Sequence, residues 1–411
     1  MFNETFKKIF KGKTSYHLFK TFCVYIFISL SLIVIKVLIA RFYGIEELGI
    51  FTYFFSLVSL VSLFSSFGLP EAITQTIIKE PHKLRRAIQN YLWIIPITAL
   101  VLIATILITS YTKLNPKITN FNLAIILFII AYSLHYLTYS ILRGREKFVE
   151  ASLYSLLGRI IFIGFIVLFF FLGAPFIIVL LSWSVSLLII GIAAWSRIHG
   201  WLKRSYEEVP LKGFLVLAFS LFLMQVSFNS SRFIDVLIIK YLVDFTSLGV
   251  YSAYSSITNV INMIASVLPV VVLPLAAVNN YKLRQSFFKI LLALIPFAII
   301  TSIAAYILVP LFYGVNQEFY LILALVAASS LLVVYSYFNS VFVGENKLSK
   351  FYLGILGTDF VLSLILNTGL SAIFILKWGI IGAPIAAAIT ILVKIGLNVY
   401  AIKRLRATKS I

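Results

Sequence analysis

Twelve long apolar stretches constrain this chain more than any other feature of its sequence. Each is about 20 residues long, the length that an α-helix needs to cross the hydrocarbon core of a bilayer. Hydrophobic residues make up 61% of the 411 residues and charged residues 12%, a balance outside the usual range of soluble domains. The sequence therefore predicts an all-α polytopic membrane protein with spans at residues 18–40, 48–69, 88–111, 121–142, 151–172, 175–195, 213–241, 248–273, 286–311, 319–342, 351–376 and 380–402.

Basic residues in the connecting segments predict the orientation of these spans. Lys and Arg in or next to the connecting segments number 25 on the side that holds both termini and 5 on the other side. Because cytoplasmic loops carry the excess of Lys and Arg, both termini are predicted to be cytoplasmic, with the chain in the plasma (inner) membrane. The net charge of +20 is then explained by a basic face that meets anionic membrane lipids, so no nucleic acid partner is needed.

Short pieces of sequence recur in the second half of the chain at an offset of about 200 residues. The matches are Leu48-Gly49 with Leu248-Gly249, Pro96 with Pro296, Leu142-Arg143-Gly144 with Phe342-Val343-Gly344, and Gly173-Ala174-Pro175 with Gly382-Ala383-Pro384. Each copy contains six spans, an even number, so both copies have the same membrane orientation, as in the parallel repeats of transporters. The pattern predicts two six-helix bundles, residues 1–205 and 206–411, related by an axis along the membrane normal.

Four polar residues of the seventh span share one helix face. Gln225, Asn229, Arg232 and Asp235 follow one another at intervals of four, three and three residues. Charges inside a bilayer are costly unless they pair or face a water-filled cavity, so this stripe is a candidate substrate site. The alternative is that Arg232 and Asp235 only neutralise each other one turn apart.

Away from the ends of the predicted spans lie four other charged residues, namely Lys36, Arg159, Asp359 and Lys394. The repeat offset places Lys36 opposite Asp235 and Arg159 opposite Asp359, which joins opposite charges across the predicted axis. We include all four in the candidate substrate site. The alternatives are that Lys36 extends to the membrane surface and that Arg159 and Asp359 form a structural pair.

The sequence lacks the motifs of several enzyme classes. It contains no Gly-rich phosphate loop ending in Lys-Ser or Lys-Thr, no His-Glu-x-x-His and no Gly-x-Ser-x-Gly. The longest predicted external loop, near residues 111–120, is too short for the catalytic part of a glycan polymerase or ligase. Cys23 is the single cysteine, so neither a disulfide nor a cysteine metal cluster is expected. The chain is predicted not to be an enzyme and to need no cofactor.

Several motifs along the whole chain form a recognisable set. They are Ala40-Arg41-Phe42-Tyr43-Gly44, Glu47-Leu48-Gly49, Gly68-Leu69-Pro70-Glu71-Ala72, Leu142-Arg143-Gly144, Arg232-x-x-Asp235, Leu248-Gly249-Val250-Tyr251, Leu311-Phe312-Tyr313-Gly314 and Gly379-Ile380-Ile381-Gly382-Ala383. This set resembles the Wzx-type O-antigen and polysaccharide flippases of the multidrug/oligosaccharidyl-lipid/polysaccharide (MOP) superfamily. One departure is Glu345, which replaces the Arg145 of the first copy.

The resemblance implies a MATE-like fold in which the two bundles form a V-shaped cleft with alternating access. It implies transport of an undecaprenyl- or dolichyl-diphosphate-linked oligosaccharide from the inner to the outer leaflet, for surface polysaccharide biosynthesis. An anionic diphosphate suits spans in which the cations Lys36, Arg159, Arg232 and Lys394 outnumber two aspartates. H+ or Na+ as coupling ion, and the polysaccharide polymerase machinery as partner, stay open.

Two alternative functions stay open from the sequence. A multidrug or toxin cation antiporter of the same superfamily would carry positively charged substrates and should show an excess of carboxylates inside its spans. A non-transporting scaffold of the biosynthetic complex would leave the charged residues inside the spans without an explanation.

The predicted orientation can be tested with reporter fusions. A reporter that is active only outside the cell should stay silent when fused after Thr408 and should be active when inserted near Asn115, because the distribution of Lys and Arg places these positions on opposite sides. Reporter activity in intact cells is the measurement. The reverse pattern would overturn the orientation.

Overall fold

The computed structural model describes residues 13–79, 84–91, 94–111, 120–202, 211–278, 281–345 and 350–409, and within these ranges the regular structure is helical, with no strand. The helices are α1 (Lys13–Phe42), α2 (Ile45–Ser66), α3 (Leu69–Lys79), α4 (Leu84–Tyr91), α5 (Ile94–Tyr111), α6 (Phe121–Gly144), α7 (Phe148–Phe171), α8 (Phe176–Leu202), α9 (Leu211–Leu242), α10 (Phe245–Val278), α11 (Tyr281–Tyr313), α12 (Phe319–Glu345), α13 (Lys350–Val361), α14 (Asn367–Trp378) and α15 (Gly382–Lys409). A π-helical segment, Leu362–Leu366, joins α13 to α14, and a 3₁₀ turn, Gly379–Ile381, precedes α15.

These helices coincide with the predicted spans and confirm an all-α membrane fold. Nine stretches of the described residues are long and apolar enough to cross a membrane, and one of them, Phe351–Arg404, covers the last two predicted spans. The predicted third span corresponds to the stretch Ile88–Ser110, and the eleventh is divided between α13 and α14. The number of twelve spans stays a prediction.

Apolar side chains also cover outward faces of the helices. On α11, Leu292, Ile295, Ile299 and Ile303 repeat at helical spacing, and each is more than half exposed. A continuous exposed apolar stripe is rare on a soluble monomer, where it would meet water. Such a stripe is suited to contact with lipid tails.

A sharp break separates α2 from α3. Phe67 and Gly68 have positive φ angles of 48° and 69°, a conformation that ends an α-helix and favours glycine. A side chain at Gly68 would also collide with the backbone carbonyl of Ala218. Beyond the break, α3 packs on α6, where the Thr74 hydroxyl donates to the carbonyl of Ser140 at 3.0 Å.

Internal packing divides the chain into two compact units. Unit 1 comprises Met1–Ile35, Val61–Tyr111 and Lys117–Phe222, and unit 2 comprises Lys36–Leu60, Thr112–Pro116 and Leu223–Ile411. Helices α1, α2 and α9 therefore contribute residues to both units. The predicted halves, 1–205 and 206–411, follow the sequence repeat and not the packing, and they stay a prediction.

Within unit 2, α2 and α10 approach each other closely at two glycines, Gly49 and Gly249. A methyl group on Gly49 would collide with the carbonyl oxygen of Phe245, and one on Gly249 would collide with the carbonyl oxygen of Ile45. Both pairs of equivalent residues, 45 with 245 and 49 with 249, are 200 positions apart. Reciprocal contacts between equivalent positions are what a two-fold axis produces, in agreement with the predicted repeat.

A hydrogen bond follows the glycine contact one turn further along the two helices. Thr52 Oγ1 and Ser252 Oγ, also 200 positions apart, lie 2.6 Å from each other and are buried. Hydroxyl pairs of this kind hold membrane helices together, because lipid tails provide no hydrophobic driving force between helices.

Arg41, near the C-terminal end of α1, caps α11 in the same unit. Its Nε donates to the carbonyl of Phe312 at 2.6 Å, and its Nη2 donates to the carbonyl of Leu311. A guanidinium at a helix C-terminus satisfies carbonyls that have no intrahelical partner and complements the negative end of the helix dipole.

The glycine contact generates a stability prediction. Gly249→Ala should lower the melting temperature and the yield of folded protein, because the new methyl group meets backbone that cannot move aside; overpacking of this kind costs about 1–3 kcal/mol or more. Gly164→Ala on α7 is the matched control, since nothing lies within 4 Å of a methyl group there. Thermal unfolding in detergent is the measurement, and equal stability of the two variants would contradict the close approach.

Candidate functional site

The carboxylate of Asp235 on α9 is buried in unit 2 and held by two neutral donors. Its Oδ1 accepts a hydrogen bond from Asn367 Nδ2 at 2.9 Å and another from Ser371 Oγ at 2.8 Å. Asn367 and Ser371 are four residues apart on α14, so one helix face presents both donors. An ionised carboxylate in the membrane interior needs such donors, because no lipid group supplies them.

A second buried cluster lies around Asp359 on α13 and Lys394 on α15. Lys394 is 1% exposed, and its ammonium lies 3.8 Å from Asp359 Oδ1, close enough for an ion pair but too far for a hydrogen bond. The Tyr335 hydroxyl donates to Asp359 Oδ2 at 2.5 Å, and the ammonium lies 4.2 Å from the centre of the Tyr335 ring. Lys394 also donates to the carbonyl of Ser227 at 2.6 Å. The cluster thus neutralises itself within unit 2.

The π-helical segment lies between the residues that serve the two clusters. Asp359 precedes it and Asn367 follows it. Eight residues of regular α-helix would turn these side chains by about 800°, which leaves them about 80° apart. The wider turns of a π-helix rotate the chain less per residue, so the segment brings both side chains closer to one face. Inside it, the Ser363 hydroxyl donates to the carbonyl of Ser227 at 3.0 Å.

Unit 1 contains a different set of polar contacts. The Tyr136 hydroxyl of α6 donates to Glu71 Oε1 of α3, and His135 Nε2 lies 3.3 Å from Ser155 Oγ of α7. The Arg159 guanidinium donates through Nη1 to the backbone carbonyl of Ile28. This bond fixes the guanidinium to the backbone of α1.

The structure corrects one predicted pairing and leaves another open. Among the described residues the partners of Asp235 are Asn367 and Ser371, and Lys36 is not among them, although Lys36 is buried in the same unit. The offset failed here because equivalent positions in a repeat do not by themselves bring side chains into contact. The pairing of Arg159 with Asp359 stays a prediction.

The predicted stripe on α9 is only partly described. Gln225 and Asn229 are partly exposed, and Asn229 Nδ2 donates to the carbonyl of Gln225 within the same helix at 3.1 Å. The side chain of Arg232 lies outside the described residues. Whether the stripe contacts a substrate stays a prediction.

Sequence reasoning missed four residues that complete these clusters, listed here in chain order: Glu71, Ser227, Asn367 and Ser371. Neutral residues such as asparagine and serine are common in membrane helices, so Ser227, Asn367 and Ser371 gave no signal of their own. Glu71 was assigned to a loop, whereas the break after α2 starts a new buried helix there.

Comparison with known proteins assigns this chain to a protein family. A family model described as polysaccharide biosynthesis protein matches residues 18–280. The chain belongs to this family. A search of curated proteins returns no match.

Solved structures of MATE and MurJ transporters have the same fold as this chain. The lipid II flippase MurJ in its inward closed conformation matches with 17% identity over 93% of this chain and 87% of that chain, with a TM-score of 0.67. An inward-facing MATE family multidrug resistance transporter matches with 16% identity over 93% and 96%, with a TM-score of 0.65. A MOP superfamily transporter from Pyrococcus furiosus matches with 14% identity over 98% of both chains, with a TM-score of 0.55. The predicted resemblance is confirmed.

The Lys394–Asp359 pair predicts a pattern of stability for this family member. Lys394→Met alone should lower the free energy of unfolding by about 3–5 kcal/mol, because it leaves a buried carboxylate without its cation. Adding Asp359→Asn should recover most of the loss, since no buried charge is then unpaired. Thermal unfolding in detergent is the measurement.

Lys377→Met is the matched control, because Lys377 is exposed at the end of α14 and its loss should change stability by less than about 0.5 kcal/mol. A double variant that is as unstable as Lys394→Met alone would show that the two side chains do not compensate each other.

Proposed function

We propose that this flippase carries a polyprenyl-diphosphate-linked oligosaccharide from the cytoplasmic to the outer leaflet by alternating access, as a step in surface polysaccharide biosynthesis. It would act in the plasma membrane with both termini in the cytoplasm, as a transporter and not as an enzyme. The family match supports a role in polysaccharide biosynthesis. The fold is shared with a lipid II flippase, whose name records a lipid-linked substrate.

The observation that carries the proposal is how the buried carboxylates are used. In the described helices Asp235 accepts from Asn367 and Ser371, and Asp359 is held by Tyr335 and Lys394. A site for cationic drugs would need carboxylates that turn toward the substrate. Here the protein's own donors occupy them.

The cations of the spans favour an anionic headgroup. Besides the Lys394–Asp359 pair, the spans carry the basic residues Lys36, Arg159 and Arg232 and the acidic residue Asp235. A diphosphate carries its charge on oxygens that accept hydrogen bonds, and a guanidinium fork binds them in a bidentate way. We therefore retain Lys36, Arg159 and Arg232 as proposed diphosphate contacts, with Gln225 and Asn229 beside Arg232.

The remaining candidate residues have supporting roles in this proposal. Asp235, Asp359 and Lys394 would set the shape and charge of the site, and substrate would compete for their hydrogen bonds. An H+ or Na+ gradient would drive turnover, and the polymerase machinery would receive the flipped substrate. Flipping assays in vesicles that carry one gradient at a time would distinguish the two ions.

Arg232 provides the sharpest test. Arg232→Lys should fold but export at least about ten-fold less glycan, since an ammonium cannot replace a bidentate guanidinium, and a hydrogen bond to a charged group contributes about 1.5–3 kcal/mol. Arg232→Ala should abolish export. Surface glycan in cells that lack the native protein is the measurement, with Arg197→Lys, at an exposed position, as the matched control.

The double change Arg232→Gln with Asp235→Asn separates binding from charge balance. If Arg232 holds the diphosphate, the double variant stays inactive. Normal export by this variant would remove Arg232 from the substrate site. Resistance to cationic drugs in the same cells, with no effect on glycan, would favour the antiporter instead.

A further inference from the structure

Helix α6 carries a row of aromatic rings to which the proposed diphosphate contacts assign no role. We define the tyrosine row as Tyr132, Tyr136, Tyr139 and Arg143, which follow one another at intervals of four, three and four residues and so share one helix face. The ring centres of Tyr132 and Tyr136 lie 5.3 Å apart, and those of Tyr136 and Tyr139 lie 6.2 Å apart. The Arg143 guanidinium lies 5.5 Å from the centre of the Tyr139 ring. The row extends over about 16 Å of helix.

The tyrosine row faces away from lipid. On the same helix Leu123, Leu127 and Ile130 are 46%, 42% and 54% exposed, as expected of a lipid-facing stripe. Each tyrosine of the row follows one of these residues after nine positions. Nine residues turn an α-helix by about 900°, or two and a half turns, which places the row on the opposite face.

Packing nevertheless does not bury the tyrosine row completely. All four of its side chains keep part of their surface exposed, whereas Thr138, Ser140 and Leu142 between them are at most 1% exposed. Side chains that lie opposite the exposed apolar stripe and still keep exposed surface are accessible to a ligand on that face. Aromatic residues that only filled a core would be as buried as these neighbours.

Fixed polar groups accompany the rings. Glu71 accepts the hydroxyl of Tyr136, and α3 is held against α6 by the bond from Thr74 to Ser140. Tyr91 donates to the carbonyl of Ser133 at 3.3 Å, which fixes α4 on the same helix. A carboxylate, three phenol hydroxyls and a guanidinium thus lie along one line of aromatic faces.

This combination matches the chemistry of a sugar. A pyranose ring has apolar C–H faces that pack on aromatic rings and hydroxyls at its rim that donate to a carboxylate and accept from a guanidinium. An acyl chain would use the rings but would make no polar contact with Glu71 or Arg143. A cation would be attracted by Glu71 and repelled by Arg143.

We propose that the tyrosine row is a saccharide-binding track, which takes the sugar rings of the transported headgroup while the diphosphate is bound elsewhere. The inference rests on the proposed function and names the part of the substrate that unit 1 binds. With the predicted orientation, Arg143 stands at the cytoplasmic end of α6, where the headgroup would enter.

The test compares two probes on the purified full chain. One probe is the lipid-linked oligosaccharide extracted from the host membrane, and the other is undecaprenyl diphosphate without sugar. Binding is measured as the ligand-dependent rise in melting temperature in nanodiscs. The variant Tyr132→Leu with Tyr139→Leu removes two rings and keeps apolar volume. Tyr320→Leu, at a position that is 73% exposed on α12, is the matched control.

The leucine pair should bind the lipid-linked oligosaccharide about five- to ten-fold more weakly than the unchanged protein, since each stacked ring adds a modest amount to the binding free energy. It should bind undecaprenyl diphosphate with the same affinity as the unchanged protein. Tyr132→Phe with Tyr139→Phe, which keeps the rings, should lose less affinity than the leucine pair. These results would support the track.

Equal loss for both probes, or no loss for either, would overturn the track while the proposed function stands. If the unchanged protein binds neither probe, the proposed function fails and the track fails with it. The melting temperatures of the unliganded variants show whether they fold.

Discussion

The contact between Gly49 and Gly249 is the constraint on which unit 2 depends. In lipid there is no hydrophobic driving force between helices, so their association needs backbone approach and interhelical hydrogen bonds. Two glycines permit the approach, and the bond between Thr52 and Ser252 fixes it one turn further along. Because the residues involved are equivalent in the repeat, one favourable contact occurs twice, once from each copy.

A second requirement is that charged groups inside the membrane have hydrogen-bond or ion-pair partners. The helices of unit 2 supply these partners from neighbouring side chains. Asp235 is held by an amide and a hydroxyl, while Asp359 is held by a hydroxyl and an ammonium. Both arrangements depend on the π segment, which turns α13 and α14 toward the same helices. A regular helix of the same sequence would present Asp359 and Asn367 to different neighbours.

The two units differ in the chemistry they offer. In unit 2 the buried charged groups have most of their hydrogen-bond and ion-pair partners within the protein. In unit 1 the aromatic rings stay partly exposed. A lipid-linked oligosaccharide has two headgroup parts with the same contrast, a compact anion and a larger neutral or polar glycan. If cations bind the diphosphate and aromatic rings bind the glycan, proteins of this fold could keep the same lipid diphosphate site while the glycan varies. Aromatic faces tolerate different sugars, whereas a bidentate contact to phosphate does not change.

The sequence by itself determined the membrane fold, the positions of the helices to within a few residues, the repeat offset of 200 and the charged residues inside the spans. It could do so because the length of apolar stretches, the distribution of Lys and Arg and the spacing of motifs can be read from the sequence alone. It could not determine the partners of those charges. Lys36 was predicted opposite Asp235, but the partners found are Asn367 and Ser371, two neutral residues brought there by α14. The break at Gly68 that places Glu71 beside Tyr136, and the π segment before Asn367, were decided only by the tertiary structure, since each depends on backbone geometry that the packing of several helices selects.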